Sequence, residues 1–372
     1  MTDRLQELSD LGVSIWLDDL DRSRLTTGGL ARMISEDHVV GVTTNPSIFS
    51  KAISTGAAAY AAQVASLASG QGDRELAVRE MTSQDVRDAC DVFSDVAARS
   101  DGVDGRVSIE VDPRLARDTD ATIEQARALW SEVDRPNLLI KIPGTVEGLP
   151  AITQAISEGI SVNVTLIFSV ARYKRVIDAW ASGLERRLNA GKPVDDIHSV
   201  ASFFVSRVDT AVDDLLDKLT STDAADLRGR AGLANARLAW QAHQMFHQTT
   251  RWKNLSAAGA HPQRPLWAST GVKDPAYPDD MYVVGLAGPG CVNTMPEPTL
   301  RAVADHGDLR GDTLSGQAEA SQQVFDDLAA LGVDMDAVFE QLETEGVDKF
   351  KVAWEELLAT VDAALAADRG SR

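Results

Sequence analysis

Eight short runs of apolar and β-branched residues alternate along this chain with longer segments of helical periodicity. Most of the runs are nearly continuous in apolar residues, as expected of parallel strands that are covered on both faces. The predicted strands are residues 13–18, 39–44, 106–111, 137–142, 161–166, 199–205, 265–270 and 281–286. In the intervening segments apolar residues recur three and four positions apart, which is typical of amphipathic helices. The alternation predicts an α/β fold with a parallel sheet.

Such a sheet can close into a (β/α)8 barrel, or it can stay open and doubly wound. The strand count, the even strand spacing and the lack of a G-x-G-x-x-G motif after the first strand favour the barrel. No break in composition and no linker divides the 372 residues. The sequence therefore predicts a single (β/α)8 TIM barrel domain over residues 1–372, with N-terminal and C-terminal helices packed on the barrel.

Charge and composition narrow the range of partners. The chain has 36 Lys and Arg against 56 Asp and Glu, a net charge of −20, so nucleic acids and anionic membranes are poor partners. Its two cysteines, Cys90 and Cys291, have neither metal-ligand spacing nor the pattern of a disulfide framework. No apolar run approaches the ~20 residues that cross a bilayer. We expect a cytoplasmic protein that binds neither nucleic acid nor membrane.

Polar side chains stand at or near the C-terminal end of nearly every predicted strand. In a barrel these ends share one face, where active sites are built from several strands at once. A single Asp or Asn at such a position often only begins a turn. The repeated coincidence predicts a site at this face, formed by Asp18, Asn45, Glu110, Lys141, Asn163, Thr165, Ser202, Arg207 and Ser269.

Lys141 lies inside the apolar run NLLIKIPGT (residues 137–145). Lysine is almost never fully buried unless it is paired, although a lysine at a strand edge can extend its amine to the surface. Burial disfavours the charged ammonium, and a neutral amine adds to a ketone or aldehyde carbonyl to form a Schiff base. That reaction also needs groups that move protons, and Glu110 and Asp18 are suitable carboxylates. The pattern predicts Schiff-base chemistry.

Four motifs follow one another along the chain: GVTTNPSIF (41–49), VSIEVDPRLA (107–116), LLIKIPGTVEGLPAI (138–152) and SVNVTLIFSVARY (161–173). Together they resemble the transaldolase family, and SIWLDDLDR resembles its longer bacterial form, in which the first-strand aspartate follows Trp-Leu. The resemblance implies a (β/α)8 barrel that transfers a dihydroxyacetone unit between sugar phosphates in the non-oxidative pentose phosphate pathway. The implied donor is sedoheptulose 7-phosphate or fructose 6-phosphate, and the implied acceptor is glyceraldehyde 3-phosphate or erythrose 4-phosphate. No cofactor and no metal is implied.

Catalytic roles carry over by matching positions in these motifs. Lys141 is implied as the Schiff-base lysine, and Glu110 as an acid/base that works through a bound water held with the help of Thr165. Asp18 is implied as the base for the donor hydroxyl, with Asp19 as the alternative because two aspartates adjoin.

Substrate-binding roles follow in the same way. The dihydroxyacetone oxygens are assigned to Asn45, Asn163 and Ser202, and the substrate phosphate to Arg207, whose planar fork suits phosphate. After the seventh strand the chain reads ASTGVKDP, so Ser269 matches the family and the second phosphate cation is assigned to Lys273.

Two other functions remain open from the sequence alone. A class I aldolase would use the same chemistry but release free dihydroxyacetone to water. A non-catalytic barrel would bind sugar phosphates and keep Lys141 as a charged contact, which the presence of Asp18 and Glu110 argues against. The sequence also leaves open whether the chain acts as a monomer or as a homodimer.

Overall fold

The computed structural model describes residues 3–69, 73–219 and 221–370. Parallel strands within these ranges close into an eight-stranded barrel, each strand pairing with the next and the last with the first. The strands are β1 (Ser14–Leu17), β2 (Val39–Val42), β3 (Arg106–Glu110), β4 (Leu138–Pro143), β5 (Val162–Ile167), β6 (Ser199–Phe204), β7 (Gln263–Ala268) and β8 (Val292–Met295). The predicted TIM barrel is therefore confirmed. The predicted domain limits, residues 1 and 372, lie outside the described residues.

Helices follow the strands and pack around the barrel, and several begin at a side-chain cap, such as Asn45, Asp118 and Ser169. Among the described residues, every helix is too short or too polar to span a bilayer. The helices are α1 (Arg4–Asp10), α2 (Arg22–Thr26), α3 (Gly29–Glu36), α4 (Pro46–Thr55), α5 (Ala57–Ser69), α6 (Arg74–Val92), α7 (Ser94–Arg99), the 3₁₀ helix Pro113–Leu115, α8 (Thr119–Val133), α9 (Gly148–Glu158), α10 (Val170–Asn189), α11 (Ser206–Leu216), α12 (Thr222–Leu227), α13 (Ala231–His247), α14 (Thr250–Ala257), α15 (Met281–Val284), α16 (Glu297–His306), α17 (Ala318–Ala330) and α18 (Met335–Gly370).

The prediction of residues 281–286 as the eighth strand is wrong. This apolar run contains α15, and β8 closes the barrel instead. The sequence of β8, VNTM, carries two polar residues in its middle, so it lacks the apolar signal of a covered strand. Both are buried with partners: Asn293 Nδ2 donates to the carbonyl of Tyr282 at 3.1 Å, and the hydroxyl oxygens of Thr294 and Thr43 are 2.6 Å apart.

The interior of the barrel is filled by side chains from several strands. Trp16, Leu139, Val200, Leu266 and Val292 belong to one buried cluster. A Cβ added at Gly41 of β2 would lie 2.5 Å from the indole of Trp16, so only glycine leaves room for the ring. The barrel interior is therefore a packed core rather than a pore, and a site can form only at the ends of the strands, as is general for TIM barrels.

The long helix α18 crosses the face formed by the strand ends. A Cβ added at Gly346 would lie 3.1 Å from Leu166 of β5, so the helix backbone rests directly on the barrel. Ion pairs fasten it on two sides, from Glu343 to Arg172 at 3.0 Å and from Glu355 to Arg114 at 3.4 Å. Between them Phe350 is 7% exposed. The helix thus forms part of the roof over the strand ends.

Candidate active site

Strand register brings three of the predicted residues side by side. In the parallel pairing of β3, β4 and β5, Glu110 lies opposite Lys141 and Lys141 lies opposite Asn163. Successive side chains of a strand alternate between its faces, so residues paired in register share one face. The predicted proximity of Glu110 and Lys141 is therefore a direct result of backbone pairing.

The amine of Lys141 is buried and held in place, with the residue only 5% exposed. Its Nζ donates to the carbonyl of Thr44 at 3.0 Å and lies 3.5 Å from Oε2 of Glu110. On a third side it is 5.5 Å from the ring centroid of Phe350. The amine therefore has neighbours on three sides, and Lys141 also lines a cavity that a carbonyl compound can enter.

Glu110 is buried beside this amine. Burial raises the pKa of Glu110 to about 7, against the opposing effect of the Lys141 charge and with a smaller contribution from Asp18 in the same direction as burial. Within the described part of the chain, neither carboxyl oxygen has a hydrogen-bond partner, and the buried Oγ1 of Thr165 has none either. A carboxyl that titrates near neutral pH is suited to both giving and taking a proton.

The two candidate aspartates after β1 have different partners. Oδ1 of Asp18 accepts a hydrogen bond of 2.7 Å from the hydroxyl of Thr43. Asp19 instead forms an ion pair of 3.0 Å with Arg24. Of the two, only Asp18 lines the cavity above Lys141.

That cavity has a volume of about 250 Å³ and joins most of the predicted side chains. Of the predicted residues, Glu110 and Asn163 do not line it, and Glu110 instead lines a second cavity of about 290 Å³ that Asn45 also lines. Asn163 is fully buried, accepts from the Ser202 hydroxyl at 2.7 Å and donates to that of Ser108 at 3.0 Å. The predicted residues that line the cavity are Asp18, Asn45, Lys141, Thr165, Ser202, Arg207, Ser269 and Lys273.

Asn45 has a structural role as well as a place in this wall. Its Oδ1 accepts from the backbone N–H of Ile48 at 3.1 Å and caps the start of α4. The cap fixes the side chain and leaves its two amide N–H donors for a ligand.

One end of the cavity is cationic. Arg207, the second residue of α11, lies 5.1 Å from the ring centroid of Phe204, and its buried Nη1 has no partner among the described residues. Burial lowers the pKa of Arg207, while Glu345 and Asp18 act in the opposite direction.

Lys273 is exposed on the loop after β7, and Ser269 at the start of that loop bonds Ser206 through their hydroxyls at 2.8 Å. A guanidinium with unused donors beside an ammonium favours an anionic group.

The geometry matches what sequence comparison finds. The sequence model of the Transaldolase/Fructose-6-phosphate aldolase family matches residues 15–361. The chain belongs to this family. Among its relatives named transaldolase, the protein of Thermobifida fusca is 58% identical over 98% of both chains. Those of Acidothermus cellulolyticus and Mycolicibacterium smegmatis are 58% and 59% identical, over 100% and 95% of both chains respectively.

Membership of the transaldolase family confirms the prediction of an enzyme that transfers aldehyde or ketone residues. The structure also shows residues near Lys141 and Asp18 that the sequence analysis missed. Phe350 has no local signal, because it is one apolar residue of a long helix and its distance to Lys141 depends on the whole fold. Thr43 and Thr44 could have been found, since they adjoin Asn45 in the TTNPS motif and contact Asp18 and Lys141.

Proposed function

We propose that this chain is a transaldolase that moves a dihydroxyacetone unit between sugar phosphates through a Schiff base on Lys141. The donor is sedoheptulose 7-phosphate or fructose 6-phosphate, and the acceptor is glyceraldehyde 3-phosphate or erythrose 4-phosphate, as in the non-oxidative pentose phosphate pathway. The observation that carries the proposal is the buried Lys141 amine 3.5 Å from Glu110, at a cavity that also holds Asp18 and Arg207.

The first step forms the Schiff base. The neutral amine of Lys141 attacks C2 of the ketose, and the carbonyl oxygen becomes a hydroxyl. The C2–O bond then breaks, and the hydroxyl leaves as water with a proton supplied by Glu110, whose pKa of about 7 suits proton exchange near neutral pH. The unpartnered oxygens of Glu110 and Thr165 support a role in holding this water, because buried polar atoms are normally hydrogen-bonded.

The second step breaks the carbon–carbon bond. Asp18 takes the proton of the C4 hydroxyl, the C3–C4 bond breaks, and its electron pair moves into the protonated imine to give an enamine. An aldose phosphate leaves with a new carbonyl at the former C4. Asp18 lies on a different strand from Lys141 but lines the same cavity, which supports its action on the far side of the substrate.

The third step reverses the first two with a new aldehyde. The enamine attacks the carbonyl carbon of the acceptor, Asp18 returns the proton to the new hydroxyl, and water releases the product ketose from Lys141. The enamine must survive between the two aldehydes, and Phe350 above the amine supports this by excluding water. This favours transfer over simple aldol cleavage.

Binding roles follow from the two ends of the cavity. Asn45 and Ser202 line the cavity and Ser202 bonds Asn163, which supports binding of the hydroxyls of the dihydroxyacetone unit by these three residues. Arg207, Ser269 and Lys273 line the same cavity, which supports their role in binding the phosphate. We also propose a cytoplasmic location and action as a monomer or a homodimer, as predicted from the sequence.

Reduction of the Schiff base tests the proposal. The protein is incubated with fructose 6-phosphate, treated with borohydride, digested, and mapped by mass spectrometry. We expect reduced dihydroxyacetone on the peptide that contains Lys141, and none in Lys141→Met. Lys253→Met, which removes an exposed lysine of α14, is the matched control and keeps the label on Lys141. Label on another lysine, or none, contradicts the proposal.

A second measurement separates transfer from release. With fructose 6-phosphate and erythrose 4-phosphate we expect sedoheptulose 7-phosphate as the main product. Free dihydroxyacetone as the main product would identify the aldolase alternative, and binding without any label would identify the non-catalytic one.

A further inference from the structure

The loop between β7 and α15, residues 269–280, carries two of the proposed phosphate-binding residues. Its first part is fastened to the barrel. The backbone N–H of Ser206 donates to the carbonyl of Ser269 at 3.0 Å, and the Thr270 hydroxyl donates to the carbonyl of Thr294 at 2.8 Å. Ser269 has φ of 56°, a left-handed conformation that serine seldom adopts. The start of the loop is therefore held in a specific conformation.

The second part of the loop is fastened to α11. The hydroxyl of Tyr277 donates to Oδ2 of Asp213 at 2.7 Å, and that of Tyr282, just after the loop, donates to Oδ2 of Asp209 at 2.8 Å. Asp209 and Asp213 lie one turn apart on α11, and both are buried. Burying a carboxylate costs free energy unless hydrogen bonds compensate it. The bonds from Tyr277 and Tyr282 provide this compensation, so displacing either tyrosine is unfavourable.

The packing around Tyr277 adds to its fixation. Oδ1 of Asp213 accepts from the backbone N–H of Gly229 at 3.0 Å. A Cβ added at Gly229, whose φ is +68°, would lie 2.8 Å from Cζ of Tyr277. The tyrosine ring therefore sits directly on the glycine backbone, and its hydroxyl reaches the carboxylate beside it. In the proposed reaction neither Asp213 nor Tyr277 has a chemical role.

Lys273 lies between two cavities. It lines the cavity above Lys141, and it also lines a separate cavity of about 230 Å³ behind the loop. The second cavity is rich in carboxylates, including Asp213, Asp217 and Asp274. A Cβ added at Gly271 would lie 3.8 Å from the Lys273 amine, so the side chain is folded back over its own loop. Lys273 therefore lines both cavities, and a change in the position of the loop would move its amine relative to each of them.

We propose that Asp213 and Tyr277 are positioning residues for substrate phosphate. Their hydrogen bond holds the 269–280 loop against α11, the helix that also begins with Ser206 and Arg207, and so keeps Lys273 at the cavity that Arg207 lines. This inference rests on the proposed function, since it assigns Lys273 to a phosphate group. Without the bond, the middle of the loop loses its tie to Asp213 while its two ends stay attached to α11, and the amine is free to pair with the carboxylates behind it.

The test uses Tyr277→Phe, which removes one hydroxyl and keeps the ring on Gly229. We expect KM for fructose 6-phosphate to rise roughly fivefold, the effect of losing about one hydrogen bond, with kcat unchanged. The dissociation constant of inorganic phosphate, measured by calorimetry, rises by the same factor. Schiff-base trapping with unphosphorylated fructose stays as in the unmodified protein. Tyr173→Phe is the matched control, because Tyr173 is buried far from the loop with its hydroxyl 3.5 Å from His243, and it leaves all three values unchanged.

Two further variants sharpen the outcome. In a Lys273→Met background, Tyr277→Phe has no additional effect on KM if the two residues act through one another. Asp213→Asn retains a partner for the tyrosine hydroxyl and shows a smaller rise than Tyr277→Phe. An unchanged phosphate dissociation constant in Tyr277→Phe overturns the inference, as does an equal loss of trapping with fructose and fructose 6-phosphate. Phosphate binding needs no turnover, so the inference can fail or stand independently of labelling at Lys141.

Discussion

Phe350 of α18 lies over Lys141, with the lysine Nζ 5.5 Å from the centre of the phenyl ring. The face of an aromatic ring attracts a cation, so this contact favours the protonated imine that the proposed reaction forms. The helix that supplies the ring is itself fastened to the barrel by ion pairs at Glu343 and Glu355. The roof of the site is therefore held in place from both sides of Phe350.

Replacing Phe350 by Ala removes this ring and admits water to the amine. We expect kcat for transfer to fall roughly tenfold, in line with the loss of a desolvated cation–π contact. The share of dihydroxyacetone released to water rises, because the enamine is protonated before the acceptor arrives. The measurement is the ratio of free dihydroxyacetone to transfer product. Val352→Ala on the same helix, 59% exposed, is the control that leaves the ratio unchanged. An unchanged ratio in Phe350→Ala would contradict the role of Phe350 in excluding water from the enamine.

Replacing Glu110 by Gln removes the group whose pKa is about 7. We expect kcat to fall between about a hundredfold and ten-thousandfold, the usual range for loss of a general acid/base. We expect a limb near pH 7 in the pH–rate profile of the unmodified protein, and its loss in the variant. Persistence of that limb in Glu110→Gln would assign it to another group.

The same carboxyl affects stability with a definite sign. The folded-state pKa of Glu110 lies above its ordinary value of 4.5 because burial disfavours the charged form. The folded chain thus binds this proton more tightly than the unfolded chain, and stability falls as pH rises from about 4.5 towards 7. In Glu110→Gln this part of the fall is absent, so urea unfolding at several pH values gives a flatter curve. An identical curve for both proteins would show that burial does not perturb the carboxyl.

The adjacent aspartates Asp18 and Asp19 provide a matched pair. Asp18→Asn keeps the shape but not the base, so we expect borohydride to trap the intact ketose on Lys141 while cleavage is lost. Asp19→Asn loses only an ion pair to Arg24 outside the inner cavity, so cleavage falls little. Intact-mass measurement distinguishes a trapped six-carbon adduct from a three-carbon one. A three-carbon adduct in Asp18→Asn would identify a different base.

His198, next to β6, makes the protein sensitive to acid. Burial, and then the charges of Arg106, His261 and Arg264, lower the pKa of His198 from 6.5 to about 2. The unfolded chain takes up this proton below about pH 6.5 and the folded chain does not, so stability is lost as pH falls through this range. We expect His198→Leu to flatten the acid limb of the free energy of unfolding measured in urea.

The exposed His306 is the control for this experiment. Hydrogen bonds to Asp279 and Asp305 raise the pKa of His306, so its proton is bound more tightly in the folded chain. Its contribution is present at acid pH and lost as pH rises, and His306→Gln therefore changes the slope in the opposite sense. Equal acid slopes for His198→Leu and the unmodified protein would contradict the account.

The sequence was sufficient for the centre of the site because parallel pairing translates strand position into proximity. Glu110, Lys141 and Asn163 stand near the ends of three successive strands, so register alone brings them together. The different surroundings of Asp18 and Asp19 could be seen only in the structure, since adjacent carboxylates differ only in which partners surround them.

Elements without a local signal escaped prediction. The strand β8 has Asn293 and Thr294 at its centre, and what makes them suitable for burial is a set of partners distant in sequence, Tyr282 and Thr43. The apolar run at residues 281–286 has the composition of a covered strand, so it was wrongly predicted as the eighth strand, although it contains α15. The position of Phe350 could not be predicted for the same reason. The periodic pattern of α18 predicts which of its faces is buried, but not that this face contacts Lys141.

The order of synthesis adds a consequence to the position of α18. A nascent chain that has emerged only as far as β8 already contains every strand of the barrel, Lys141 and Glu110 included, but not Phe350. Its amine would stand open to cellular aldehydes and to water. Docking of the last helix therefore completes the proposed site, and a chain that ends before α18 would keep every barrel strand but transfer the dihydroxyacetone unit more slowly and lose more of it to water.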